Sequence, residues 1–207
     1  MPKAKTIKEA LSLSYKRDKK APEGYSLDKS LSTKRAKVFK ANDSNEVIVA
    51  HRGSASLGDW RDKLKNATTG DVKGTETYKK AKKVQNQAIK KYGADNITSV
   101  GHSRAGLYVQ ELNDRPETKT KNAITLNKAV SPYDLMRKNK GNQIDIRSKT
   151  DVVSALDPLQ RSKNKTITIG DTSYNPLTAH SVDNLDSLGD RMIGSGFITG
   201  GFRFSPY

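Results

Sequence analysis

The stretch Ser99-Val100-Gly101-His102-Ser103-Arg104-Ala105-Gly106 constrains this chain more than any other. A short apolar run, Asn96-Ile97-Thr98, precedes it, and a helical pattern follows it. A serine between a strand and a helix, with small residues two positions away on either side, fits a turn too tight for larger side chains. Such a turn lifts the hydroxyl out of the sheet. The small positions are Gly101 and Ala105, with Gly106 beyond. With Gly at about 7% of residues, a match to Gly-x-Ser-x-Gly/Ala arises by chance in roughly one chain of this length in seven. The rest of the sequence gives the match its weight.

The elements around that turn alternate in type. Thr6 to Tyr15 has a helical pattern, and Lys16 to Ser32 reads as loop, with Pro22 and Gly24. Lys34 to Lys40 and Glu46 to His51 read as a hairpin turning at Asn42-Asp43. A short amphipathic helix is expected over 59–67. The clearest helix runs from Thr75 to Tyr92: Tyr78, Ala81, Val84, Ala88, Ile89 and Tyr92 repeat at helical spacing, and Gly93 stops it. Strands are expected over 96–101, 123–130, 143–147 and 166–169, and helices over 103–113, 133–138 and 180–188. Strands alternating with helices predict a mostly parallel sheet flanked by helices. The expected organisation is a basic extension over 1–35, one α/β domain over 36–193 and a Gly-rich tail over 194–207.

Composition narrows the function classes. The chain has 207 residues, long enough for one domain with a sheet covered on both faces. It carries 38 Lys and Arg against 22 Asp and Glu, a net charge of +16, and its mean hydropathy is −0.78. That charge favours anionic partners: an anionic membrane surface met peripherally, or nucleic acid through charge alone. The low aromatic content argues against grooves that stack bases. There is no cysteine, hence no disulfide and no thiolate metal site. The longest apolar run, Val47-Ile48-Val49-Ala50, is far too short to span a bilayer. The N-terminus has charge but no apolar segment of a signal peptide, so a soluble, cytoplasmic or virion-associated protein is expected. No P-loop, dinucleotide fingerprint or zinc spacing is present, so no cofactor and no metal is expected.

A serine nucleophile needs a base, and the base needs an orienting carboxylate. Of the three histidines, His51, His102 and His180, only His180 lies after Ser103. His51 and His102 sit in strand-to-turn segments and read as structural. Between Ser103 and His180, Asp151 directly follows an expected strand, where α/β folds place catalytic groups. Asp145 falls inside the strand pattern, and Asp157 and Asp171 are less directly placed. An acyl-transfer site also needs donors for the developing oxyanion. The backbone N–H of Arg104 is one candidate. Ser54, after the strand Val47 to Ala50 and the turn His51-Arg52-Gly53, is the other.

Together these residues resemble the class 3 lipases, the fungal triacylglycerol lipase-like family of the α/β-hydrolases. The family's apolar strand leading to Arg-Gly-Thr/Ser and a nearby Asp-Trp is matched by Arg52-Gly53-Ser54 and Asp59-Trp60. Its Gly-His-Ser-x-Gly-Gly elbow is matched by residues 101–106, its Asp-Pro-Val motif by Asp151-Val152-Val153, and its late histidine by His180. The resemblance covers roughly residues 36–185. It implies a compact single-domain α/β-hydrolase with a Ser103–Asp151–His180 triad and an oxyanion hole at Ser54 and Arg104. It further implies hydrolysis of lipid esters through an acyl-serine. Three positions depart from the pattern: Ala105 for glycine, Arg104 for an apolar residue and Val152 for proline. The segment after Trp60 is short and basic, unlike an amphipathic lid. With the positive charge, this favours an anionic phospholipid or lysophospholipid surface over neutral fat. Two rivals stay open: a catalytically idle hydrolase fold serving as a basic membrane- or nucleic-acid-associated structural protein, for instance in a virus particle, and a peptidase or thioesterase on the same fold.

Overall fold

The computed structural model describes residues 1–53, 72–130, 142–155, 165–170, 175–194 and 197–199. In chain order its elements are α1 (Ala4–Tyr15), β1 (Tyr25–Leu27), β2 (Ala36–Ala41), β3 (Val47–His51), α2 (Glu76–Tyr92), β4 (Ile97–His102), α3 (Arg104–Asn113), β5 (Asn122–Leu126), β6 (Gln143–Ser148), β7 (Lys165–Ile169), α4 (Pro176–Ala179), β8 (Ile193–Gly194) and β9 (Phe197–Ile198). A 3-10 turn spans Val182–Leu188. The helices expected over 59–67 and 133–138 lie outside the described residues.

Strands β1 to β7 form one sheet in sequence order. β1, β2 and β3 pair antiparallel, and β3 through β7 are all parallel. The parallel pairs β3–β4 and β4–β5 are joined through α2 and α3, as parallel neighbours require a crossover. This is the compact α/β architecture expected from the alternating pattern.

Strand alternation decides which residue packs on which layer. Along β3, Val47 and Val49 meet Val84 and Ala88 of α2, while Ile48 and Ala50 face the opposite layer. All five β3 residues are buried, as in a strand covered on both faces. The opposite layer holds α1 and the 182–188 turn. Ala4, Ile7, Ala10 and Leu11 share a core cluster with Phe39, Val100, Ile124, Ile146, Leu185 and Leu188. Residues 4–15, expected within a basic extension, therefore form a helix of the main core. Burying each large apolar side chain of this kind stabilises by about 1.5–3 kcal/mol. The N-terminus is tied down further: Ala4 N–H donates to Arg191 O at 2.8 Å, and Ile193 N–H to Pro2 O at 3.0 Å.

Two elements differ from expectation in type, and β5 ends at Leu126, short of the expected Val130. β1 lies in a segment read as loop; three residues suffice because Tyr25, Ser26 and Leu27 pair with Ala41, Lys40 and Phe39 on the sheet edge. The helix expected over 180–188 forms instead as a 3-10 turn over Val182–Leu188, preceded by the separate α4. Asn175 caps the one-turn α4 through Leu177 N–H, with Pro176 at its start, and Ser181 caps the following 3-10 turn through Asp183 N–H. The two caps, six residues apart, open two separate short turns.

Candidate active site

The C-terminal ends of the parallel strands carry the candidate residues. Ser103 follows β4 and caps α3 with φ 59 and ψ −130. Only one other described non-glycine residue, Asn127, has positive φ. A conformation of this kind costs about 1–3 kcal/mol and persists where the surroundings enforce it. Here they do. The Ser103 N–H donates to Leu126 O at the end of β5 (2.9 Å), and the Ser103 carbonyl accepts from Gly106 N–H (2.9 Å). A Cβ at Gly101 would stand 2.4 Å from Ala105 O and 2.8 Å from Val109 Cγ2. One at Gly106 would stand 2.8 Å from Lys128 Cβ. Helix α3 thus crosses its own strand with no room for side chains at 101 and 106. Ala105, between them in the same turn, is fully buried. The Ser103 hydroxyl forms no cap to the helix.

Asp151 and His180 are in direct contact, Asp151 Oδ1 to His180 Nδ1 at 2.9 Å. The carboxylate is 1% exposed. Its Oδ2 accepts from Ser154 N–H (3.0 Å) and Ser154 Oγ–H (2.5 Å). Burial pushes the Asp151 carboxyl up, but hydrogen bonds and charge from His180 and Ser154 outweigh it and hold the carboxyl below its ordinary value. A carboxylate at Nδ1 fixes the Nδ1–H tautomer of a neutral imidazole and leaves Nε2 with the lone pair. The backbone before His180 is clamped: Asn127 and Asn184 side-chain amides both donate to Ala179 O, at 3.2 and 2.9 Å. Ser148 Oγ accepts from both asparagines, so the ends of β5 and β6 position the His180 turn.

The His180 ring lies against His102, with centroids 4.7 Å apart. It therefore sits beside the elbow. No hydrogen bond joins His180 to Ser103 among the described residues; such contacts are commonly long before substrate binds. The buried His102 bridges Tyr15 OH at Nδ1 (2.9 Å) and His180 O at Nε2 (2.7 Å). Burial and the nearby His180 lower its pKa to about 3. Gly53, at the turn after β3, touches the same spot: a Cβ there would lie 2.6 Å from His102 O, 2.7 Å from Tyr15 OH and 3.4 Å from Ser103 Cβ. Ser54, the next residue, lies outside the described residues, as do Trp60, Asp157 and Asp171. Arg104 opens α3, where backbone N–H groups have no helical acceptor. His51 is buried away from this site, its Nε2 on Gln85 Oε1 at 2.9 Å. Asp145 is committed elsewhere, paired with buried Lys128 at 2.7 Å. Tyr15, Asn127 and Asn184 were not singled out from sequence as site residues; none carries a local motif.

No family model and no curated relative matches the sequence. Solved structures do resemble the fold. The Lip2 lipase of Yarrowia lipolytica matches with a TM-score of 0.53 at 12% identity, over 86% of this chain and 81% of that one. The native propeptide complex of the Rhizomucor miehei lipase matches at 0.51 and 15%, over 90% of this chain and 75% of that one. At such identities the likeness is one of fold: the chain shares the α/β fold of these two lipases.

Proposed function

We propose that this protein is a serine ester hydrolase acting on lipid esters through an acyl-serine, with Ser103 as nucleophile, His180 as base and Asp151 as its orienting carboxylate. One observation supports this above others: a buried, multiply hydrogen-bonded aspartate holds a histidine beside a serine kept at positive φ on a strand–helix turn. In this reading Nε2 of His180 takes the Ser103 hydroxyl proton as Oγ attacks the ester carbonyl. The oxyanion is met by the N–H groups of Arg104 and Ser54. His180 then protonates the leaving alcohol; it next takes a proton from water as that water attacks the acyl carbonyl, and it gives the proton to Ser103 Oγ as the acyl–Oγ bond breaks and the acid leaves. The net charge of +16 favours substrates presented on anionic surfaces over neutral fat.

The test is covalent labelling by a fluorophosphonate probe, wild type against Ser103→Ala, together with hydrolysis of a soluble p-nitrophenyl ester. Labelling confined to wild type, with kcat lower by several orders of magnitude in Ser103→Ala, is expected. Absence of labelling and of turnover in wild type would shift the assignment to the idle, basic binding fold.

A further inference from the structure

The N-terminal helix reaches the candidate site through one side chain. Tyr15 is the last residue of α1, and α1 is seated in the core by Ile7 and Leu11. Its hydroxyl meets Nδ1 of His102 at 2.9 Å, and the rings pack edge to face at 5.9 Å. The chemistry of the second His102 contact fixes the direction of both bonds. A carbonyl oxygen only accepts, so His102 Nε2 carries the proton donated to His180 O at 2.7 Å. The neutral ring then offers a lone pair at Nδ1, and Tyr15 O–H is the donor. Burial keeps His102 neutral well below pH 6.5. Burial also pushes the Tyr15 hydroxyl up to about 12, against a Gly53 backbone hydrogen bond and the Arg52 charge, so the donor stays protonated at any working pH. Arg52 lies 5.7 Å over the Tyr15 ring.

Three backbone segments thus converge on one hydroxyl and one imidazole. They are the Gly53 turn that leads to Ser54, the residue just before Ser103, and the main chain of the base. We propose that Tyr15 is a positioning residue for this site: through His102 it holds the Gly53 turn and the His180 backbone in register with the Ser103 elbow. The role rests on the ester-hydrolase reading. Tyr15 itself transfers no proton in the reaction. Its loss misplaces the oxyanion donors and the base, which reduces transition-state stabilisation more than ground-state binding.

The experiment compares wild type, Tyr15→Phe and Ile7→Val. Phe keeps the ring packing and removes only the hydroxyl, leaving buried His102 Nδ1 without a donor. Ile7→Val loosens the same helix without touching the network. In Tyr15→Phe, kcat on a soluble p-nitrophenyl ester and the rate of fluorophosphonate labelling fall about tenfold, the equivalent of about 1.4 kcal/mol, with KM unchanged. Ile7→Val lowers the melting temperature but leaves both rates at wild-type values. Wild-type kcat in Tyr15→Phe, or an equal loss in Ile7→Val, overturns the proposal. If wild type takes no label, the hydrolase reading fails separately, and the positioning is judged by NMR. The amide signals of Gly53 and His180 and the ring nitrogens of His102 should shift in Tyr15→Phe and stay put in Ile7→Val. Unchanged signals in Tyr15→Phe would then overturn it.

Discussion

Replacing Gly101 by alanine tests the turn at the centre of this fold without any assumption about activity. The added Cβ would lie 2.4 Å from Ala105 O, 2.7 Å from Ala105 C and 2.8 Å from Val109 Cγ2. The first two atoms are helix backbone, which no rotamer change can remove. Ordinary contact begins near 3.4 Å, so α3 would have to move away from β4 by about an ångström. Lys128 behind Gly106 resists that movement, because its ammonium is held by Gln110 and Asp145, each at 2.7 Å. Overpacking of this kind costs about 1–3 kcal/mol, and rigid backbone on the receiving side places the expectation at the upper end. For a chain of this size, 2–3 kcal/mol lowers the melting temperature by roughly 4–12 °C. The assay is thermal and urea unfolding followed by far-UV circular dichroism. Gly24→Ala serves as comparison: there the φ of +76 is strained but nothing lies within 4 Å of the new methyl. Its cost is about 1 kcal/mol. A Gly101→Ala protein melting within about a degree of wild type, or no lower than Gly24→Ala, would refute the close crossing of α3 over β4.

Acid should weaken the fold through the buried histidines, His51 among them. Burial lowers its pKa from 6.5 to about 4, only partly offset by the Gln85 hydrogen bond. The unfolded chain therefore binds more protons between those values, so stability is full above pH 6.5 and is lost as pH falls through about 4, by about 3 kcal/mol. His51→Gln should make the slope in that window shallower, while His102, lowered to about 3 by burial, keeps a slope of its own there; an unchanged slope would refute the assignment. Binding to vesicles should need negative lipid. Each basic residue near an anionic bilayer contributes about 1 kcal/mol, screened over about 8 Å at physiological salt. Sedimentation with phosphatidylserine vesicles, reversed by about 0.5 M salt and absent with neutral vesicles, is expected; equal binding to both would remove the electrostatic role of the +16 charge.

Elements whose pattern is set by one dominant contact were legible in the sequence. β3 is a run of apolar residues because both faces are covered, and α2 shows its buried stripe at Tyr78, Ala81, Val84 and Ala88. β5 was expected to continue to Val130 but ends at Leu126, because Asn127 turns to φ 46 and spends its side chain on Ser148 and Ala179. Apolar content could not show that turn; only the asparagine hinted at it. The separate α4 before the 182–188 turn had local signals, Asn175-Pro176 and Ser181 two residues before Asp183. β1 had none, since its pairing with β2 supplies what three residues cannot specify alone.

The site divides along the same line. Ser103 and Asp151, the proposed nucleophile and orienting carboxylate, stood out in the sequence because chain order and strand position together restrict where α/β folds keep reactive groups. The contact between Asp151 and His180 joins residues 29 apart, with β7 between them in sequence. The proposed positioning residue was invisible, since Tyr15 lies 87 residues from His102 and its helix reads as an ordinary basic segment. A helix stripe predicts that some face is buried; it does not predict that the last residue of the helix ends at an imidazole. This asymmetry has a physical basis. Reactive groups must occupy particular backbone junctions, which leave marks in residue type and spacing. A group that supports them needs only to arrive at the right point in space, and the core packing of α1 against β2, β3 and the 182–188 turn delivers Tyr15 there.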